Sequence, residues 1–161
     1  MKTLIILRHG KSSWEYDTRD FDRPLSDRGI KNASEMGRFI LSKTGTPDII
    51  LSSDANRALS TAKLAAESMG FPAEKIETDH ELYLASVREI LKSIAKLPDD
   101  HRSCVVVGHN PGLTYLVNHF GVQLDNLPTA SAACFEFNTD TWKEISPDNA
   151  VFKWSKLARE L

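Results

Sequence analysis

Thr3-Leu4-Ile5-Ile6-Leu7-Arg8-His9-Gly10 is the stretch that decides the fold. Its short, unbroken apolar run suits a strand buried on both faces, and the switch to Arg8-His9-Gly10 marks where that strand opens into a polar loop. Open α/β sheets bind ligands outside the carboxyl ends of their strands, so this is a candidate site edge. Working outward, the pattern returns twice. Asp48-Ile49-Ile50-Leu51-Ser52-Ser53 and Cys104-Val105-Val106-Val107 are apolar runs that break into polar turns, the second into Gly108-His109-Asn110-Pro111-Gly112.

Between these runs lie helical repeats. Ser26 is placed to cap a helix that runs to about Lys43, with Ile30, Ala33, Met36, Gly37 and Ile40 on one face; Gly45 and Pro47 stop it. Asp54 to Met69 carries a second stripe, and Val87, Ile90, Leu91, Ile94 and Leu97 a third, closed by Pro98. A further helix is expected from about Leu113 to His119. Lys75 to Thr78 reads as a weaker strand. Lys11 to Arg23 is rich in charge and poor in apolar residues apart from Trp14, Tyr16 and Phe21, so it reads as an irregular loop over the first strand end. In the last third, Ala133 to Phe137, Trp142 to Ile145 and Val151 to Trp154 are short β-type runs separated by turns, which predicts two or three strands extending the sheet antiparallel at an edge.

Strands alternating with helices predict a three-layer α/β/α sandwich with a mostly parallel central sheet. With 161 residues, 41% of them hydrophobic, one domain over 1–161 with a substantial core is the expectation. Twenty Lys and Arg against 22 Asp and Glu leave a formal charge of −2, so no global basic field favours nucleic acid or an anionic membrane. No apolar run approaches the roughly 20 residues of a membrane span, and charge arrives too early for a signal-peptide core, so a soluble, cytoplasmic protein is expected. Cys104 and Cys134 sit inside apolar runs without CxxC spacing and read as reduced core residues. His80, His101 and His119 are scattered without zinc-site spacing, and no nucleotide-binding glycine motif is present. No cofactor and no metal are expected.

Arg8 and His9 follow one buried strand, His109 follows another, and Arg57 falls in the first turn of the helix after Ser52-Ser53. The sheet should gather all four at one edge. Two guanidinium forks match the oxygens of a phosphoryl group, a neutral imidazole is a competent nucleophile toward phosphorus, and a second imidazole can donate to the developing charge. The arginines can supply the positive charge that a metal ion provides elsewhere. Lys11 is placed to extend the positive field or to stay solvated, and Trp14 and Tyr16 to line a substrate mouth or pack the loop.

Arg8-His9-Gly10 resembles the signature of the histidine phosphatase superfamily, the phosphoglycerate-mutase-like group. Ser52-Ser53 to Arg57-Ala58-Leu59-Ser60-Thr61-Ala62 and Gly108-His109-Asn110-Pro111 resemble its later blocks. Among its branches the chain is similar to the small SixA-type phosphohistidine phosphatases, in Arg8 through Trp14, Asp20 through Gly29, and Leu127-Pro128-Thr129-Ala130. The resemblance implies a phosphoglycerate-mutase-like fold and a phosphatase in which His9 is transiently phosphorylated, Arg8 and Arg57 hold phosphoryl oxygens, and His109 stabilises the transferring group. Water then releases phosphate. The implied substrate is phosphohistidine in a protein; a small phosphorylated metabolite and a non-catalytic phosphate-recognition module are the alternatives. Larger relatives use a carboxylic acid on the leaving group, and Glu81 falls about where that acid would lie, so it stands either as an acid or as a solvated loop residue. Activity is expected to fall as His9 protonates, near the ordinary value of about 6.5 as shifted by the neighbouring arginines.

Overall fold

A computed structural model describes residues 1–161. Lys2–Arg8 form β1, and Leu4 to Leu7 within it are wholly shielded from solvent, as a strand covered on both faces requires. Alternation sends Leu4 and Ile6 into one apolar cluster and Ile5 and Leu7 into another. β2 (Ile49–Ser52), β3 (Glu77–Thr78) and β4 (Ser103–Gly108) continue the parallel part of the sheet, while β5 (Ala132–Phe137) pairs antiparallel with β1 and β6 (Ala150–Lys156) pairs antiparallel with β5. The order is β3-β2-β4-β1-β5-β6. β1 and β4 are parallel neighbours, with Arg8 opposite Gly108, and β2 lies on the far side of β4, with Ser52 opposite Val107. The carboxyl ends of β1, β4 and β2 therefore share one edge, as the sequence predicted.

α1 (Asp27–Thr44) and α2 (Asn56–Met69) cover one face of the sheet; α3 (Val87–Ala95) and α4 (Gly112–His119) cover the other. This is the mostly parallel, three-layer α/β/α arrangement that the alternation of strands and helices predicts. Ser26 caps α1 by accepting the Gly29 N–H, and Gly45, at φ +76°, ends it. α1 and α2 cross closely at Gly37, where a Cβ would stand 2.7 Å from the Ala65 Cα. Cys104 and Cys134 are free and buried, and burial pushes both thiols up to about 12. No helix is long and apolar enough to cross a membrane.

One segment departs from its reading. Trp142 to Ile145 was expected as β-type, yet Trp142–Glu144 form a 3-10 turn, so the last third holds two strands. The cause is a buried anchor: the Trp142 indole donates to the His101 carbonyl at 3.0 Å and its backbone N–H to Asp99 Oδ1 at 3.0 Å. An aromatic that fits a strand by propensity is used here as a plug beneath the sheet.

Candidate active site

The turn after β1 is stitched in from both sides. His9 N–H donates to the Gly108 carbonyl at 3.1 Å, and the Arg8 and His9 carbonyls both accept from Ala130 N–H. Ala130 adopts φ +57° while fully buried, a left-handed conformation of the kind that clusters at functional sites. A Cβ on Gly10 would stand 2.8 Å from the Gly29 carbonyl oxygen, so glycine is what lets this turn pass over the start of α1. Gly10 N–H donates to Thr61 Oγ1 at 2.9 Å, and the Thr61 hydroxyl donates to the Arg57 carbonyl at 2.7 Å, locking the turn to α2.

These constraints fix the tautomer of His9. Its Nδ1 lies 2.7 Å from the Gly10 carbonyl. A carbonyl only accepts, so Nδ1 carries the proton and Nε2 holds a lone pair. Arg57 Nε–H points at that lone pair from 3.4 Å. Burial is the largest influence and brings the imidazole from 6.5 down to about 4, opposed by the Gly10 carbonyl and assisted by the lesser charge effects of Arg57, Arg8 and Arg23. His9 is thus a neutral base at pH 7, and the expected midpoint near 6.5 moves well into acid.

His109 follows β4, with its ring centroid 5.2 Å from that of His9. Its Nε2 lies 2.8 Å from Ser53 Oγ, which itself accepts the Ala55 N–H at 3.2 Å. His109 Nε2 is the one acceptor within reach of the Ser53 hydroxyl, so the hydroxyl donates to it and the ring proton sits on Nδ1. Burial, then His9 and Arg57, lower His109 to about 3.

Three arginines surround the pair. Arg57 is 3% exposed and donates from Nη1 to the Asp20 carbonyl at 2.7 Å and from Nη2 to Asp20 Oδ2 at 3.0 Å. Arg23 donates to Ser12 Oγ at 2.7 Å and to Asp20 Oδ1 at 2.8 Å. Arg8 donates to the Leu127 carbonyl at 3.1 Å, and burial followed by repulsion from Arg57 lowers its pKa. Asp20 also accepts the Tyr83 hydroxyl. That bond first, then the two arginines, outweigh its partial desolvation and hold its carboxyl down at about 2. It is a permanent anionic anchor for the loop over the site.

The buried side-chain nitrogens without a partner are Arg8 Nε, Arg23 Nε and His109 Nδ1. All three belong to residues lining one pocket of about 330 Å³, which His9, Lys11 and Arg57 also line and to which no carboxylate contributes. Unpaired buried donors are costly unless something fills them. The pocket that these residues line gathers Arg8, Arg23, Arg57 and Lys11 with no opposing carboxylate, a lining that suits a tetrahedral oxyanion.

Of the residues singled out in the sequence, Arg8, His9, Arg57 and His109 meet here and Glu81 does not. Glu81 sits in a 3-10 turn, His80–Leu82, and lines a separate recess with Glu89, Lys92 and Lys96. Lys11 and Trp14 line the pocket; Tyr16 is exposed outside that lining. His80 pairs with Asp54 at 2.9 Å, and no three His, Cys, Asp or Glu side chains gather as a metal ligand set. Sequence reasoning gave no role to Asp20, Arg23, Tyr83 or Ser53. Asp20 and Arg23 did carry a signal, since both lie in the stretch that resembles the SixA branch.

The family model of the histidine phosphatase superfamily, branch 1, matches residues 4–86. A chloroplastic protein of Arabidopsis thaliana is 27% identical over 175 aligned positions, covering 94% of this chain and 80% of that protein. Among solved structures, a protein assigned as the phosphohistidine phosphatase SixA of Nakamurella multipartitia superposes with a TM-score of 0.84 at 23% identity, covering 96% of this chain and 95% of that one. Another, assigned as SixA of Agrobacterium tumefaciens, gives a TM-score of 0.79 at 26% identity over 96% and 97% of the two chains.

Proposed function

We propose that this chain, which belongs to the histidine phosphatase superfamily, is a metal-independent phosphatase that cleaves phosphohistidine in a protein through an intermediate on His9. The observation that carries the reading is a pocket lined by Arg8, Arg23, Arg57 and Lys11, without a carboxylate, beside the neutral His9 imidazole. In the first step the lone pair of His9 Nε2 attacks phosphorus in line with the substrate's P–N bond. The phosphoryl group passes to Nε2, and the substrate imidazole, protonated on its other nitrogen, leaves neutral. Arg8, Arg57 and Arg23 donate to the equatorial oxygens, and His109 Nδ1–H donates where charge builds. In the second step water attacks the phosphohistidine, His9 recovers its lone pair, and phosphate departs. The arginines supply the positive charge throughout.

Phosphohistidine is favoured over an alkyl phosphate by what the pocket lacks. An alkoxide must be protonated as it leaves, yet no carboxylate lines the pocket and the nearby Asp20, held down at about 2, is ionised at neutral pH. The SixA assignments of two structural relatives agree with this choice of substrate.

The test is hydrolysis of a phosphohistidine peptide and of p-nitrophenyl phosphate in EDTA, by wild type and His9→Ala. The reading expects EDTA-resistant release from phosphohistidine that disappears with His9. Preference for the ester, or turnover that survives the substitution, would overturn it. Phosphate binding with no turnover would point to a recognition module instead.

A further inference from the structure

The pocket has two apolar lining residues, Trp14 and Leu84, and neither is placed as folding alone would place it. Trp14 is 80% exposed, the most exposed of the large hydrophobic side chains. It is nevertheless held: the Arg23 guanidinium lies 3.9 Å from its ring centroid, in cation–π range, and Ser12 and Asp20 fix that guanidinium in turn. Leu84 is 55% exposed and adopts φ +52°, a left-handed conformation in which a leucine side chain is strained. An indole clamped on one face and open on the other, beside a strained and unburied leucine, gives the fold little apolar burial. Both stand at the mouth of the hollow where the oxyanion would sit.

We infer that Trp14 and Leu84 form a platform for the ring of the leaving group, making them specificity-determining residues for phosphoryl groups carried on a planar ring. The inference rests on the phosphatase reading above and deepens it. With the phosphoryl oxygens on the arginines, whatever carries the phosphorus is directed toward the mouth. A planar ring there can stack on the open indole face and touch the leucine methyls, whereas a ringless donor meets neither. Arg23 links the halves of the site, since its guanidinium backs the indole while the residue also lines the pocket beside Arg8 and Arg57.

The experiment measures binding by calorimetry, so that it does not depend on turnover, using a peptide with a stable phosphoryl-triazole analogue of phosphohistidine, and inorganic phosphate. Trp14→Ala should weaken the analogue by roughly three- to tenfold, the range for loss of one aromatic contact, with phosphate affinity held. Trp14→Phe should restore most of the loss. Leu84→Gly, which suits the left-handed backbone and therefore folds, should weaken the analogue about two- to threefold, again sparing phosphate. Equal weakening of both ligands would make Trp14 a support for Arg23 and overturn the platform, as would no weakening of the analogue. Wild-type KM for phosphohistidine against ringless phosphoramidate separates the two readings: failure to hydrolyse either compound refutes the proposed activity, while the binding series still decides the platform.

Discussion

His9 and His109 occupy matching places at the ends of neighbouring parallel strands, one step past the paired Arg8 and Gly108. Burial and the same arginines depress both, to about 4 and about 3. By acidity the two rings are nearly the same; by hydrogen bonding they are opposites. The Gly10 carbonyl takes the Nδ1 proton of His9 and leaves a base at Nε2, whereas the Ser53 hydroxyl feeds Nε2 of His109 and leaves a donor at Nδ1. The lesson is that a partner able only to accept, or free to donate, assigns the nucleophile and the stabilising donor where pKa does not.

The largest effect should separate the two rings. His9→Ala should lose turnover by roughly four orders of magnitude or more, as nucleophile removal does, together with the acid-labile phosphoenzyme seen on rapid quench. His109→Ala should slow turnover about 10²- to 10³-fold, the cost of one transition-state donor, yet still form the phosphoenzyme. A phosphoenzyme that survives loss of His9 but not of His109 would invert the assignment. Ser53→Ala should cost about tenfold in kcat, equivalent to one ordinary hydrogen bond, by freeing His109 to take the other tautomer. An unchanged rate would show that Ser53 does not set the ring.

The acidity the two rings share has its own consequence. In the unfolded chain each binds a proton near 6.5, while in the folded chain His9 does so near 4 and His109 near 3. Between those values the unfolded state holds more protons, so stability is greatest above about 6.5 and declines as pH falls toward 4. Histidine ring signals followed by NMR should show both rings neutral at pH 5.5, with a lower denaturant midpoint there than at pH 7.5. A ring titrating near 6.5 would show that its burial is not maintained in solution.

The four residues of the site were legible because each follows a buried strand, and topology alone delivers strand ends to a common edge. Asp20 was not, since one carboxylate in a loop dense with charge has no period to distinguish it. Its meaning lies in Arg57, Arg23 and Tyr83, which only the tertiary fold brings to it. Ser53 was quoted as half of a serine pair, but its task depends on β2 lying beside β4. Trp142 was read as strand from its own preference, which a buried indole hydrogen bond overrode.

Glu81 gives the smallest effect and the sharpest check on reading a role from position in the chain. Counting along the sequence sets it where larger relatives carry an acid. Locally, Asp79 accepts the Glu81 N–H at 2.9 Å and closes the short turn His80–Leu82. Leu82 is buried by that turn, while Glu81 remains exposed beside Lys92 and Lys96, outside the cationic pocket. Glu81→Gln should therefore change kcat/KM by no more than about twofold, as a surface substitution does, on both phosphohistidine and an alkyl phosphate ester. A loss confined to the ester would mean that the turn swings inward when an ester is bound, and would restore Glu81 as the proton donor that the resting pocket lacks.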